Sequence, residues 1–227
     1  KEKACITCGI EYFRREFSEK ISTQRLIQAI EKFNRDKKVH GILVQLPLPK
    51  HIDTQKIIQA INPEKDVDGF HPLSLFSPCT PNGVIRMLDF YKIPIEGTHA
   101  VVVGKSNIVG KPLALMLLNR GATVTICHRK TRSLTSHTKQ ADILCIAAGV
   151  PGLIKGNMVK KGCVVIDVGF NRLPSGKIVG DAVFDSVKKV AKYLTPVPGG
   201  VGPMTVACLM ENVTRAASKS LSVRKPR

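Results

Sequence analysis

The sequence has 227 residues, 43% of them hydrophobic and 5% aromatic with no tryptophan, and its 35 Lys and Arg against 17 Asp and Glu give a net charge of +18. This length suits one large domain or two small ones with a sizeable core, and no apolar run approaches the roughly 20 residues of a membrane span. The charge admits nucleic acid or small polyanions as partners. The basic residues are scattered and few aromatics interleave them, which argues against nucleic acid and leaves a solvated basic surface, or one facing a cofactor phosphate and a poly-acidic substrate tail.

In chain order, Lys1-Glu-Lys-Ala-Cys5 lacks the pattern of a signal peptide and lacks an initiating Met. Leu26, Ile30 and Phe33 recur at helical spacing and predict an amphipathic helix over 23–33. His40–Leu46 is a short apolar run suited to a buried strand, stopped by Pro47 and Pro49. Asp53 is placed to cap a helix with Ile57, Ile58 and Ile61 on its apolar face, ended by Asn62-Pro63. Residues 66–81 are rich in Pro and Gly and read as linker and loop, followed by a helix with Val84, Leu88 and Tyr91 on one face. From residue 99 the alternation is plain: strands at 100–104, 122–127, 142–147 and 163–168, with a helix at 111–119 between the first two. Continuous β-branched runs separated by helices indicate a parallel sheet covered on both faces. A last helix is expected over 203–220, and the polar, basic tail ending Arg224-Lys225-Pro226-Arg227 is expected to fray.

Seven cysteines, with Cys127, Cys145 and Cys163 in apolar strand-like runs, form a reduced, intracellular pattern. Cys5-Ile-Thr-Cys8 has no second pair and no preceding strand, so it reads as two small residues on a helix, and no metal centre is expected. Cytoplasmic localisation follows as an expectation.

Gly104-Lys-Ser-Asn-Ile-Val-Gly110 lies between a strand and a helix. Gly104 permits the tight turn, Ser106 and backbone amides can donate to a phosphate at the helix N-terminus, and Gly110 lets the helix pack close. The pattern is G-x-S-x-x-x-G rather than the common G-x-G-x-x-G, and its position carries the argument. The next strand ends Cys127-His-Arg-Lys130 with no acid to accept from a ribose hydroxyl. Arg129 suits a 2′-phosphate through its planar fork, and Lys105 can add a second charge, which makes NADP the expected cofactor. The alternative for Arg129 is an ordinary surface charge.

Further motifs occur in order: Val44-Gln-Leu-Pro-Leu-Pro49, Asp66-Val-Asp-Gly-Phe70, Pro78-Cys-Thr-Pro81, the 104–112 loop, Asp167-Val-Gly169 with Asn171-Arg172, and Pro196-Val-Pro-Gly-Gly-Val-Gly-Pro-Met-Thr205. Together they resemble the methylenetetrahydrofolate dehydrogenase/methenyltetrahydrofolate cyclohydrolase family over nearly the whole chain. The resemblance implies an α/β fold of two α/β domains, the second a Rossmann-like parallel sheet, with a cleft between them. The folate-binding catalytic domain would occupy 1–78, the NADP-binding domain 79–202, and a helix over 203–227 would return to the first domain. It also implies tetrahydrofolate derivatives as substrates and a homodimer, with no nucleic-acid or membrane partner.

By motif register, Lys1 falls on the family's catalytic lysine; Lys3 competes, but its offset from Gly9 is wrong by two. Gln45 matches the glutamine that contacts this lysine from a strand end, against the alternative of a buried amide serving backbone. Asp68 matches the pterin-binding aspartate, whose carboxylate can accept two hydrogen bonds from the pterin; a turn aspartate before Gly69 is the local alternative. Asp66 looks like its structural partner. Pro198, Gly199, Gly200 and Thr205 would line the folate and nicotinamide pockets. Phe170 stands where the family usually has Ile, at a backbone contact to the cofactor. Two departures from the family pattern, the absence of a strand and helix before Lys1 and a shortened 73–77 segment, are expected to be omissions of residues, the second near Ser74–Leu75. A lysine moves protons near neutral pH only if its surroundings lower its pKa from about 10.4, and that is the role expected of Lys1. Rival readings are a monofunctional dehydrogenase on this scaffold, a dehydrogenase of amino or hydroxy acids, and a non-catalytic nucleotide- or nucleic-acid-binding protein.

Overall fold

The computed structural model describes residues 1–222; the expected frayed tail at 224–227 lies outside the described residues. The chain divides into two compact units, one of Lys1–Ser77 with the segment from Val206 onward, the other of Pro78–Thr205.

The first unit is built from helices α1 (Glu2–Thr7), α2 (Thr23–Arg35) and α3 (Thr54–Ala60). Ser22 Oγ accepts from Arg25 N and Asp53 Oδ1 from Lys56 N, so α2 and α3 both begin on side-chain caps. Leu26 and Ile30 from α2 and Ile57 from α3 bury with Ile42, Ile52 and Ile61 in one apolar cluster. The expected strand over His40–Leu46 does not form. Ile42 makes a single parallel bridge to Asp66, its N–H donating to the Lys65 carbonyl at 2.7 Å. A strand is stable only as part of a ladder, and 43–46 finds no ladder partner among the described residues.

In place of a sheet, the unit is tied by polar side chains reaching backbone. Lys65 Nζ donates to the carbonyls of Phe33 (3.0 Å), Asn34 (2.7 Å) and Asp36 (2.8 Å). These are the orphan acceptors of the α2 C-terminus, and an ammonium is the side chain best suited to them. Asn34 in turn donates to the Ala60 carbonyl and accepts from Asn62 N, joining the ends of α2 and α3.

The second unit begins with α4 (Cys79–Phe90), then β1 (His99–Val103), α5 (Gly110–Asn119), β2 (Thr123–Cys127), α6 (Leu134–Thr138), β3 (Ile143–Ile146), β4 (Val164–Asp167), a hairpin of β5 (Asn171–Arg172) and β6 (Ile178–Val179), α7 (Phe184–Lys188) and β7 (Tyr193–Leu194). Helix α4 starts at Cys79, inside the segment read as loop, because Pro81 sits in the first turn, where a missing N–H costs nothing. Tyr91, expected on its apolar face, is instead its exposed C-cap.

The five long-sheet strands run parallel in the order β2-β1-β3-β4-β7. Every residue of β3 and β4 is buried, as continuous apolar runs in a doubly covered sheet require. Successive residues feed two opposite cores. Ala100, Val102, Ile143 and Cys145 pack with Leu88 of α4 and Leu113 and Leu117 of α5. Val101, Val103, Leu144 and Ile146 pack with Ile154, Val159 and Val187. Truncating a fully buried leucine here, such as Leu113→Ala, would cost about 2–5 kcal/mol.

The last helix, α8, spans Val201–Ser222, two residues earlier than read from sequence. Its first turn therefore takes over residues 201–205, expected to be loop, with Pro203 tolerated there as Pro81 is in α4. Beyond residue 206, α8 buries Cys208, Leu209 and Met210 in the first unit, and Asn212 Nδ2 donates to the Val67 carbonyl at 2.9 Å and to Ser77 O at 3.2 Å.

Candidate functional site

In the second unit the candidate site lies at the carboxyl ends of the parallel strands, where open α/β sheets bind ligands. Gly104 ends β1 with φ +130°, and a Cβ there would collide with the Ala147 carbonyl that ends β3. Gly110, the first residue of α5, lies against the Gly104 carbonyl just as closely. Only glycine fits either position, so the turn is tight because backbone meets backbone.

Ser106 Oγ accepts from Val109 N at 3.1 Å and Gly110 N at 3.2 Å. Two of the amides expected to face a phosphate are thus already satisfied from within, and what Ser106 retains for a ligand is its O–H. Lys105 and Ser106 are exposed on the loop. Arg129 is exposed in the turn after β2, with no ion-pair partner among the described residues. That turn is fixed by Thr131, whose Oγ1 accepts from His128 N at 2.8 Å. Neighbouring strands β1 and β2 put the glycine loop and Arg129 on the same end of the sheet.

Phe170, 64% exposed, follows β4 at this same end. Pro198 and Gly199 are exposed, while Gly200 is buried against the Pro196 carbonyl. Thr205 lies in the first turn of α8, its Oγ1 3.0 Å from Thr80 Oγ1 of α4. A Cβ on Gly83 would stand 3.1 Å from Met204 Cβ, so α4 and the start of α8 meet at close range.

In the first unit, Lys1 Nζ lies 3.2 Å from Gln45 Oε1, across 44 positions of sequence. Gln45 Nε2 donates to the adjacent Leu46 carbonyl at 2.9 Å, which fixes the amide so that its oxygen faces the lysine. Gln45 is exposed and lies on irregular chain, neither at a strand end nor buried. Lys1 and Gln45 line an open cavity of about 1540 Å³ that also includes Tyr12, Val44 and Met210. Asp68 is outside that lining and borders a much smaller apolar void with Val44, Ile57 and Phe70.

Asp68 is nine-tenths buried, and burial pushes its carboxyl up to about 6, with Lys1 pulling it down and Asp66 adding to the rise. Asp66 is 1% exposed; its Oδ2 accepts from His71 N at 2.8 Å, while its Oδ1 has no hydrogen-bond partner. The structure thus brings Lys1, Gln45 and Asp68 into one electrostatic neighbourhood, with Asp66 buried behind.

None of the seven cysteines is in a disulfide, and burial pushes Cys145 and Cys163 up to about 12, far from thiolate. Among the described residues no cluster of His, Cys, Asp and Glu could hold a metal, and no helix is long and apolar enough to cross a membrane.

Three residues have structural roles that the sequence reading did not assign, although Asp167 stood in one of its motifs. Asp181, fully buried, accepts from the backbone amides of Ala148, Gly149 and Val150 and from Asn171 Nδ2. Asp167, 3% exposed, accepts from Gly169, Asp181 and Ala182. Lys65 caps α2, as described above. Asp181 and Lys65 work on backbone groups about 30 positions away, which no spacing rule finds, and Asp167 on one near and two distant amides; for the two acids the available signal was that a buried acid must be paired.

The tetrahydrofolate dehydrogenase/cyclohydrolase catalytic-domain model matches residues 1–68, and the NAD(P)-binding-domain model of the same family matches 78–221. The bifunctional protein FolD of Nitrosospira multiformis is 55% identical over 229 residues, covering 97% of this chain and 80% of the relative. The crystal structure of the bifunctional enzyme FolD from Campylobacter jejuni superposes with a TM-score of 0.92 at 51% identity, covering 96% of this chain and 80% of that one. A Trypanosoma brucei methylenetetrahydrofolate dehydrogenase-cyclohydrolase, complexed with NADP cofactor and inhibitor, gives 0.93 at 37% identity, covering 99% and 81%. With family models matching both 1–68 and 78–221, the chain belongs to the tetrahydrofolate dehydrogenase/cyclohydrolase family.

Proposed function

We propose that this chain oxidises 5,10-methylenetetrahydrofolate to the 5,10-methenyl compound with NADP, and hydrolyses that product to 10-formyltetrahydrofolate. The observation that carries the reading is the Lys1–Gln45 contact at 3.2 Å with the buried Asp68 carboxyl close enough to feel the lysine's charge.

The donor set of the second unit suits NADP. The collision a Cβ would make at Gly104 and at Gly110 leaves room only for backbone there, and the cations Lys105 and Arg129 flank the turn with no ion-pair partner among the described residues. Lys105 and the Ser106 hydroxyl would hold the pyrophosphate, and Arg129 the 2′-phosphate. When bound, NADP supplies the acceptor for the hydride leaving the methylene carbon. The two folate nitrogens stabilise the resulting cation, so the protein's contribution to this step is to orient its ligands.

The second step falls to the first unit. Water adds to the methenyl carbon, one carbon–nitrogen bond breaks, one water proton goes to the released nitrogen and the other to solvent. Lys1 moves those protons, Gln45 holds its ammonium by a fixed amide oxygen, and Asp68 anchors the pterin through two accepted hydrogen bonds. Pro198, Gly199, Gly200, Thr205 and the backbone at Phe170 line the ligands. The protein acts as a homodimer in the cytoplasm, a reading supported by the family for the dimer and, for the compartment, by seven cysteines outside disulfides.

The test is NADPH formation from methylenetetrahydrofolate by the purified protein, NADP beside NAD, with decay of the methenyl compound followed separately. Turnover with NADP and accelerated methenyl hydrolysis are expected. Preference for NAD would remove Arg129 from its role, and a folded protein active in neither assay would remove the reading.

A further inference from the structure

The strand order β2-β1-β3-β4 fixes a direction for any dinucleotide lying across the carboxyl ends of the sheet. If Arg129 after β2 takes the adenosine end and the 104–110 loop after β1 the pyrophosphate, the nicotinamide end falls on the segments after β3 and β4, residues 147–150 and 168–171. One side chain controls both. Asp181 Oδ2 accepts from Ala148 N at 2.7 Å and Gly149 N at 2.9 Å, and its Oδ1 accepts from Val150 N at 2.9 Å and Asn171 Nδ2 at 2.8 Å.

Three consecutive amides converging on one point form a concavity built for an anion. Here the anion is internal, so the concavity is closed to a ligand phosphate, and the segment after β3 is locked. Gly169 belongs to the same device, since any Cβ there would collide with the Asp181 carboxylate. Asp181 is itself seated by Asp167, whose Oδ1 accepts from Asp181 N at 3.0 Å. Four accepted hydrogen bonds give a buried carboxylate its full complement of partners.

We infer that Asp181, with Asn171 as its second anchor, is the positioning residue for the nicotinamide end of the cofactor: it sets the backbone of 148–150 and 169–171 against which the reactive ring is held. The inference rests on the NADP reading above. Asp181→Asn keeps the volume but turns one acceptor into a donor facing amides, and Asn171→Ala removes one anchor while leaving the three amides paired.

The experiment measures KM for NADP, kcat of hydride transfer, and methenyl hydrolysis without cofactor, for wild type and both variants. Wild-type activity with NADP tests the underlying reading; the variants test only the inference. For Asp181→Asn, a rise in KM for NADP of about tenfold or more is expected, since charge-assisted hydrogen bonds are lost, with methenyl hydrolysis within about twofold of wild type. For Asn171→Ala the same selective effect should appear at about threefold. If Asp181→Asn loses both reactions together, Asn171→Ala decides: a cofactor-selective rise sustains the inference, and an unchanged KM for NADP overturns it. An unchanged KM in Asp181→Asn overturns it outright.

Discussion

The two units hold their chemistry by different means. In Pro78–Thr205 the ligand-facing turns hang from buried parallel strands, and their shape follows from backbone meeting backbone at Gly104, Gly110 and Ala147. Among the described residues of the first unit no ladder longer than the Ile42–Asp66 bridge supports Gln45 or Asp68, and long polar side chains do the fixing: Lys65 on three carbonyls, Asn34 on the end of α3, Asn212 on Val67. A sheet gives the strands beneath its turns rigidity through many cooperative bonds, and side chains such as Asp181 have only the turns themselves left to set. A unit tied by individual ammonium and amide groups concentrates that dependence in a few residues, and those groups are open to titration and substitution.

The contrast can be broken most sharply at Lys1. Lys1→Met should lower methenyl hydrolysis by about 10²–10⁴-fold, the range for losing a general acid–base group, while NADPH formation falls far less. Rates of the two reactions on the same preparation check this, and equal losses would deny Lys1 a selective proton-transfer role. Next comes the second unit. Arg129→Ser should raise KM for NADP about 10–100-fold with KM for NAD nearly unchanged, as expected for a charge-assisted bond to phosphate; parallel changes for both cofactors would return Arg129 to the status of a surface charge.

Lys65→Met strips the α2 C-terminus of its cap and should lower stability by about 2–3 kcal/mol. It should also weaken folate binding, because residues 66–68 follow directly, while leaving NADP affinity intact. Denaturant midpoints and the two KM values together decide this.

The smallest effect concerns Asp68. Burial raises its carboxyl from 3.8 to about 6 in the folded protein, so the native state keeps a proton that the unfolded chain gives up between those values. Its contribution to stability is therefore full below about pH 4 and lost as pH rises through about 6. Asp68→Asn should remove this decline, of which about one pK unit, or about 1.4 kcal/mol, falls between pH 5 and pH 8, and should weaken folate binding at every pH. Thermal midpoints of both proteins at pH 5 and pH 8 test it: an unchanged pH dependence would mean that Asp68 is solvated in solution.

Legibility in the sequence follows the same division. The strands at 99–103, 143–146 and 164–167 are readable because both sheet faces are covered and their buried runs are apolar, and the edge strand 123–127, partly exposed, is readable from its β-branched Thr-Val-Thr-Ile run. The two-residue strand Tyr193–Leu194 is too short to leave a pattern, and the β5–β6 hairpin hid in Leu173-Pro-Ser-Gly-Lys177, a turn whose signal was present but unread. His40–Leu46 has the composition of a strand and lacks the partner, and partners are a tertiary property that no local window contains. At the site, the glycine loop and Arg129 could be read from residue chemistry. Lys1, Gln45 and Asp68 came only through family resemblance, since a lone lysine, glutamine and turn aspartate carry no local signature. Asp181 came through neither route.

The Ser106 hydroxyl oxygen, bonded to the amides of Val109 and Gly110, has a thermodynamic corollary for cofactor capture. A phosphate-binding turn that must first order itself loses affinity to its own conformational entropy. This one is already closed on its own side chain, so encounter is close to rigid docking, and little heat-capacity change should arise from loop ordering. Ser106→Gly would return that freedom to the turn, and the loss would appear as a less favourable binding entropy for NADP and NAD alike.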